Sequence, residues 1–378
     1  MNNDLYKDKS LLSIILNILT LTVILTVWSS GQATNGPDSA KKRVINVLSL
    51  EGGGTGGIIE LAFLSEIEKE AEKQTGQKIP ICELFDLIAG NSIGGMIAAG
   101  LALPTKDDPR KLRFTATKLL KEVEEQLPNF FQPRFSLWGL LGPKYKNIGP
   151  KQVTEHLFGN TTFDQPLTRV MISAFDLETN KTVIFKSWNP TRNCFYTNDI
   201  IRGTGSAPTY FEPHVMTSIS RNGESKISYR LIDGEFSAGN PTQSAMIEAE
   251  KIFGRDQDFQ ILSLGAGYVL KSYPYKKYRD AGFIAWGFVL TDLFIDGQMS
   301  LTNYSMNHQY GAQYSHWSPP IDTENPAMDN HDPETLDYYK QATLEMIESR
   351  KDEFKSLVTR LLINRGLIKV HTPPESIL

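Results

Sequence analysis

The chain has 378 residues, of which 40% are hydrophobic, 10% aromatic and 22% charged, so collagen-like, low-complexity and wholly disordered chains are excluded. Its 39 Lys and Arg against 43 Asp and Glu give a formal charge of −4, and no basic excess points to bulk nucleic-acid binding. Two cysteines, Cys82 and Cys194, are too few for a disulfide scaffold or a cysteine-rich metal site. Each lies in an apolar stretch, which suits a pair or two buried free thiols.

Residues 11–28 read LLSIILNILTLTVILTVW, an apolar run without charge, preceded by Lys7 and Lys9 and followed by Ser29-Ser30-Gly31-Gln32-Ala33. A basic start, an apolar middle and a small-residue end form the signal-peptide pattern, with cleavage after Ala33. The run is slightly long for a signal peptide and slightly short for a membrane span. Residues 1–33 therefore read as an export signal or, if uncleaved, as an anchor through residues 11–28. In both cases the positive flank stays inside and the remainder crosses, making the protein secreted, periplasmic or membrane-anchored. A polar linker, 34–43, follows.

Val44 to Leu50 is a short apolar run of the buried-strand type, broken by Gly52-Gly53-Gly54. Ile58 to Lys73 shows helical spacing, with Ile58, Leu61, Ala62, Leu64 and Ile67 leaning to one side. A second apolar run, Leu84 to Ala89, leads into Gly90, and Ile93 to Leu101 resumes as a small-residue helix. Strand, glycine turn, helix, strand, tight turn, helix is the alternation of a parallel sheet flanked by helices. Further strands are predicted at Arg169 to Phe175, Thr182 to Phe185, Tyr229 to Ile232 and Gln260 to Leu264. Helices are predicted at about Arg110 to Gln126, Pro241 to Ile252 and Pro333 to Leu362. The economical organisation is one α/β core over 44–270 with a helical portion, 271–378, packed on it.

Three constellations could carry chemistry. Gly90-Asn91-Ser92-Ile93-Gly94 is G-x-S-x-G between a predicted strand and helix, a strained turn that exposes a serine hydroxyl. A β-carbon at either glycine would clash across so tight a turn. Alone the pattern is weak, and its flanking elements strengthen it. Glu51-Gly52-Gly53-Gly54-Thr55-Gly56-Gly57 can turn several backbone N–H groups toward an anion or a developing oxyanion. Gly52-x-Gly54-x-x-Gly57 also satisfies the dinucleotide fingerprint, with Glu70 or Glu72 for a ribose contact, so this loop alone does not separate an oxidoreductase from an acyl hydrolase or a structural turn. No Gly-Lys-[Ser/Thr] follows, which excludes a Walker-type loop. Third, Leu231-Ile232-Asp233-Gly234-Glu235 ends a strand in Asp-Gly, a common turn, yet also a place where α/β proteins assemble sites.

A Ser–His–Asp hydrolase needs a histidine after the acid, and His308, His316 and His331 satisfy that order. None sits in a recognisable catalytic setting, and the glycine loop lacks the histidine of the His-Gly-Gly-Gly pattern. His156 and His214 precede Asp233, and no His, Cys and carboxylate clustering suggests a metal.

Taken in order, an acidic residue with a triple glycine (Glu51 to Gly54), G-x-S-x-G (Gly90 to Gly94) and Asp-Gly (Asp233-Gly234) resemble the patatin-like phospholipase family. Gly205-Ser206-Ala207-Pro208-Thr209-Tyr210-Phe211, Asn240-Pro241 and Ser263-Leu264-Gly265-Ala266-Gly267 extend the resemblance over residues 44–270. It implies a three-layer sandwich with a mainly parallel sheet, and a Ser–Asp dyad in place of a triad. Ser92 would be the nucleophile and Asp233 the base, Gly52, Gly53 and Gly54 would donate to the oxyanion, and Gly57, Gly90, Gly94 and Gly234 would shape the loops. The implied substrate is a phospholipid or galactolipid membrane surface, and no cofactor, metal or nucleic acid is implied. This chain departs from the family at Gly56, where a basic residue is frequent, and at Glu235, where Gly or Ala is expected. Glu235 adds a carboxylate that would raise the dyad's apparent pKa if close. Two aromatic-rich segments, Asn129 to Lys146 (with Arg134, Lys144 and Lys146) and Phe283 to Ile295, could form a lipid-facing lip or pack into the core.

Overall fold

The computed structural model describes residues 43–135, 142–189, 194–219, 226–269, 272–287, 289–321 and 327–369. The leader and most of the linker read in the sequence lie outside these residues. Among the described residues no helix is long and apolar enough to cross a membrane.

Eight strands among the described residues join one sheet: β1 (Val44–Leu50), β2 (Leu87–Gly90), β3 (Arg169–Asp176), β4 (Lys181–Lys186), β5 (His214–Thr217), β6 (Ser228–Ile232), β7 (Asp258–Leu264) and β8 (Tyr314–Trp317). Their order is β5-β6-β3-β2-β1-β7-β8, with β4 also paired to β3. The five strands β3-β2-β1-β7-β8 run parallel, whereas β4, β5 and β6 pair antiparallel at one end.

Alternation along the central strands divides the core in two. Leu48, Leu50, Ile88, Val170, Ile172, Leu262 and Leu264 face one layer of helices, and Ile45, Val47, Leu87, Ala89, Met171, Phe259 and Ile261 face the other. Burying a Leu or Ile stabilises by roughly 1.5–3 kcal/mol. A one-residue slip would merely exchange two apolar faces, so loops and register partners, not polarity, fix this sheet. The first face is covered by α1 (Gly57–Thr75), α3 (Ser92–Leu101), which follows the short α2 (Ile81–Leu84), and α4 (Ala116–Phe130). Beyond α5 (Ile148–Phe158) and α6 (Thr197–Thr204), α7 (Thr242–Phe253) covers the second face with Ala245, Met246 and Ala249. The short α8 (Tyr275–Tyr278) and α9 (Phe283–Gly287) lead to α10 (Leu290–Tyr310), whose Met306 adds to that face. Finally α11 (Pro333–Ser349) and α12 (Lys351–Asn364) return to the first face through Leu336, Tyr339, Leu357 and Leu361. This is a three-layer α/β sandwich with a mainly parallel sheet.

Local chemistry shifts several predicted boundaries. The helix expected from Arg110 starts at Ala116 because Thr115 caps it, its side chain accepting from the Lys118 N–H, while Pro104 bridges to Leu112 in the preceding turn. The helix expected over Pro333 to Leu362 breaks at Arg350 (φ −125°, ψ 34°), whose guanidinium lies 3.6 Å over the Trp317 ring. The apolar run at Leu84 splits into α2 and β2 around Asp86, a buried carboxylate that accepts from Arg43, Arg365 and the Asn46 N–H. Strands β5 and β8 escape sequence reading because four residues carry too little periodicity, so the C-terminal portion is not purely helical. Cys82 and Cys194 are buried and form no disulfide with each other.

Candidate active site

Because β1 and β2 are parallel neighbours with Leu50 opposite Gly90, the loops leaving them emerge together at the carboxyl edge. Ser92 opens α3 directly after β2 with φ 49°, a left-handed conformation that a side chain adopts only under local constraint. Gly90 and Gly94 make this turn possible: a Cβ on Gly90 would meet the Gly94 carbonyl at 2.3 Å, and one on Gly94 the Glu51 carbonyl at 2.4 Å. The Ser92 N–H donates to Thr204 Oγ1 at 2.8 Å, and that hydroxyl donates to the Ser173 carbonyl at 2.6 Å, so α6 and β3 hold the elbow.

Asp233 arrives from the opposite direction. Strand β6 is antiparallel to β3, with Ile232 beside Phe175, and its end stops at the edge where β2 finishes. Ser92 Oγ donates to Asp233 Oδ2 at 2.7 Å across 141 residues of sequence. The other oxygen, Oδ1, accepts from the Glu235 N–H at 2.9 Å, and the Asp233 N–H donates to the Ser206 carbonyl at 3.0 Å. Gly234 lets this turn press against Ser173. Asp233 is 1% exposed, and burial pushes its carboxyl above the ordinary range.

The glycine loop lies over the serine. Gly53 and Gly54 have φ of 136° and 59°, and a Cβ on Gly54 would sit 1.9 Å from the Met328 carbonyl, which itself accepts from the Thr55 N–H at 2.8 Å. Gly57 opens α1. The N–H groups of Gly52, Gly53 and Gly54 donate no hydrogen bond to a described residue, so they remain available to an oxyanion. Glu51, before them, is fully buried and accepts at Oε1 from Asn240 Nδ2 (2.8 Å) and His316 Nε2 (3.1 Å).

An apolar pocket opens onto the serine. Ile93, Met96, Leu127, Phe130, Phe131 and Ile201 line much of a space of about 550 Å³, counting its open mouth, with Ser92 and Gly54 in its wall. Such a lining suits an acyl chain.

The late histidines do not complete a triad, since the Asp233 carboxylate is partnered by Ser92 Oγ and the Glu235 N–H. His308 stacks on Tyr304 on the exposed side of α10, His331 Nδ1 lies 2.9 Å from the Asp329 carbonyl, and His316 serves Glu51. His156 pairs with Glu122 and His214 with Asp199. Glu70 and Glu72 lie within α1, about 20 Å along the helix from Gly57 at 1.5 Å per residue, too far for a ribose held at the glycine loop. The dinucleotide reading therefore fails on geometry. Among the described residues no cluster of His, Cys and carboxylates could hold a metal. Glu60 is the residue that sequence reasoning missed: it lies in the first turn of α1, 0% exposed, with neither carboxyl oxygen hydrogen-bonded to a described residue. Its sequence neighbours Ile58, Ile59 and Leu61 carry the only hint, an acid inside an apolar run.

A serine on a strained strand-to-helix turn, hydrogen-bonded to a buried carboxyl beneath an apolar pocket, belongs to the class of acyl hydrolases that act on esters. Residues 48–246 match the family model described as Patatin-like phospholipase. Patatin-like protein 1 of Arabidopsis thaliana is 30% identical over 301 residues, covering 73% of this chain and 70% of the relative. Patatin-like protein 2 of Oryza sativa subsp. indica is 31% identical over 286 residues, covering 68% and 69%. Among solved structures, human GIVD cytosolic phospholipase A2 is similar at a TM-score of 0.43 and 9% identity, over 85% of this chain and 60% of that chain, too distant to bear on the site. The chain belongs to the patatin-like phospholipase family and is a lipid acyl hydrolase.

Proposed function

We propose that the protein releases fatty acids from membrane glycerolipids, phospholipids or galactolipids, through a Ser92–Asp233 dyad and an acyl-enzyme. Ser92 Oγ attacks the ester carbonyl while its proton passes to Asp233 Oδ2. The oxyanion takes hydrogen bonds from the N–H groups of Gly52, Gly53 and Gly54, each typically worth about 3 kcal/mol of transition-state stabilisation. As the C–O bond breaks, Asp233 returns the proton to the departing alcohol. Water then attacks the acyl-enzyme, giving its proton to Asp233, which passes one to Ser92 as the fatty acid leaves. The observation that carries the reading is the 2.7 Å hydrogen bond from Ser92 to Asp233 at the wall of an apolar pocket.

Access from a lipid surface is supported by exposed apolar side chains on both aromatic-rich segments: Phe135 (95% exposed) on the first, Leu290 and Phe294 on the second. Residues 136–141 of the first segment lie outside the described residues. Lys144 is engaged with Asp329 and Arg134 with Glu212, so Lys146 is the more available cation there. Export or anchoring through residues 11–28 would bring the domain to such a surface.

The test is fatty-acid release from defined phospholipid and galactolipid vesicles by residues 43–378, with Ser92→Ala and Asp233→Asn alongside. Release by the unaltered protein and its loss in both variants is the expected result. An active Ser92→Ala would overturn the dyad, and retained vesicle binding by a Phe135→Asp, Phe294→Asp variant would remove the lipid-facing role.

A further inference from the structure

Four buried acceptor oxygens around the glycine loop have no hydrogen-bond donor among the described residues: Glu51 Oε2, Glu60 Oε1 and Oε2, and Asn91 Oδ1. Asn91 is oriented by its own Nδ2, which donates to the Ala238 carbonyl, so its amide oxygen is committed to the other side. That side is where Glu235 sits. A Cβ placed on Gly52 would lie 3.1 Å from Asn91 Oδ1, 3.1 Å from Ser92 Cβ and 3.2 Å from the Glu235 carboxyl carbon. The nucleophile, an unsatisfied acceptor and a carboxyl thus converge on the first glycine of the loop. An acceptor needs a donor, and a protonated carboxyl supplies one.

We propose that Glu235 works as a neutral carboxylic acid, its O–H directed to the acceptors around Gly52, and that this neutrality keeps a further negative charge away from the glycine loop. Glu235 is a positioning residue under this reading, which rests on the Ser92–Asp233 dyad proposed above. The groups that face it all disfavour a second charge: Asp233 on its own turn, Glu51 after β1, Glu60 on α1, and Asp292 and Asp296 on α10. His316 of β8 meets this cluster through Glu51 and not through Glu235. Burial, then the charge on Asp233, raises the Glu235 carboxyl, whereas burial alone raises Asp233. The chemistry needs Asp233 ionised and Glu235 protonated, and the two hydrogen bonds that Asp233 accepts, from Ser92 Oγ and from the Glu235 N–H, favour the charge on Asp233. Ionised Glu235 would place a carboxylate beside Gly52, where the transition state develops negative charge.

The experiment is the pH profile of kcat/KM on a soluble short-chain ester for the unaltered protein, Glu235→Gln, Glu235→Ala and Ser92→Ala, with near-ultraviolet circular dichroism at each pH. The expected profile of the unaltered protein is a bell whose alkaline limb falls about tenfold per pH unit while the fold is intact. Glu235→Gln, which cannot ionise, should lack that limb, while its acidic limb should stay where it is because both side chains are neutral over the range in which Asp233 titrates. Difference infrared spectra should show a protonated carboxyl band that Glu235→Gln removes. Superimposable profiles for folded Glu235→Gln and the unaltered protein would overturn the proposal, as would absence of that band. If Glu235→Gln does not fold, Glu235→Ala is judged on the same alkaline limb. Ser92→Ala separates the two readings: its activity would sink the dyad, whereas an inert Ser92→Ala with an unmoved Glu235→Gln profile sinks only the role of Glu235.

Discussion

Asn240 Nδ2 lies 2.8 Å from Glu51 Oε1, although 189 residues separate them in the chain. The contact ties the segment after the Asp233 turn to the residue that launches the glycine loop, so the two loops share a mount. Asn240 Oδ1 also accepts from the Thr242 N–H at 2.9 Å, fixing the start of α7. Asn240→Asp would set a carboxylate against Glu51 and should cost about 1–3 kcal/mol of stability. Urea unfolding measures the cost, and fatty-acid release should fall further than the lost folded fraction explains.

Thr204 bridges the Ser92 N–H and the Ser173 carbonyl with one hydroxyl. Thr204→Val keeps the volume but leaves a buried N–H unpaired, at a cost of about 1–3 kcal/mol. Because the strained elbow loses its restraint, kcat should drop while KM stays nearly constant. Thr204→Ser should restore kcat, and steady-state kinetics on a soluble ester distinguishes the two variants.

Glu60 gives a pH-dependent stability with a definite sign. Burial, with the charge on Glu51 adding to it, raises its carboxyl well above the ordinary range. Below about pH 4.3 both folded and unfolded chains hold the proton and no penalty exists. Above it the unfolded chain ionises while the folded one keeps its proton, so stability is lost as pH rises, by about 1.4 kcal/mol per pH unit, until the folded carboxyl ionises too. Glu60→Gln should therefore match the unaltered protein near pH 4 and exceed it at pH 7. Urea midpoints at the two values check this.

Chain-length preference should follow the pocket. Ala207 lines it together with Met96, Phe130 and Ser92. Ala207→Phe would exclude several methylenes of a long acyl chain. At about 0.8 kcal/mol per CH2, four excluded groups cost about 3 kcal/mol, or roughly a hundredfold in kcat/KM. Turnover of an acetyl ester should hardly change, and a series of esters of increasing length shows where the loss begins.

The legible part of this molecule is the part governed by short-range geometry. Gly90 and Gly94 flank Ser92 because a tight turn leaves no room for a β-carbon, and runs such as VINVLSL announce buried parallel strands. Asp233 was identifiable from its position after a strand and from family resemblance, but its approach along an antiparallel strand was not. Residues that act through distant partners left little trace. Glu60 is buried by packing that no local pattern records, and the link from His316 to Glu51 spans 265 residues. Arg350 breaks a helix where a single long period was expected, and the neighbouring tryptophan ring comes from β8.

The glycine loop takes its outer support from Met328, whose carbonyl receives the Thr55 N–H, and its inner support from Glu51, braced by His316 of β8. Met328 and His316 both lie well downstream of Ser92 and Asp233 in the sequence. A fragment ending before β8 would hold Ser92 and Asp233 beside a glycine loop that lacks both braces.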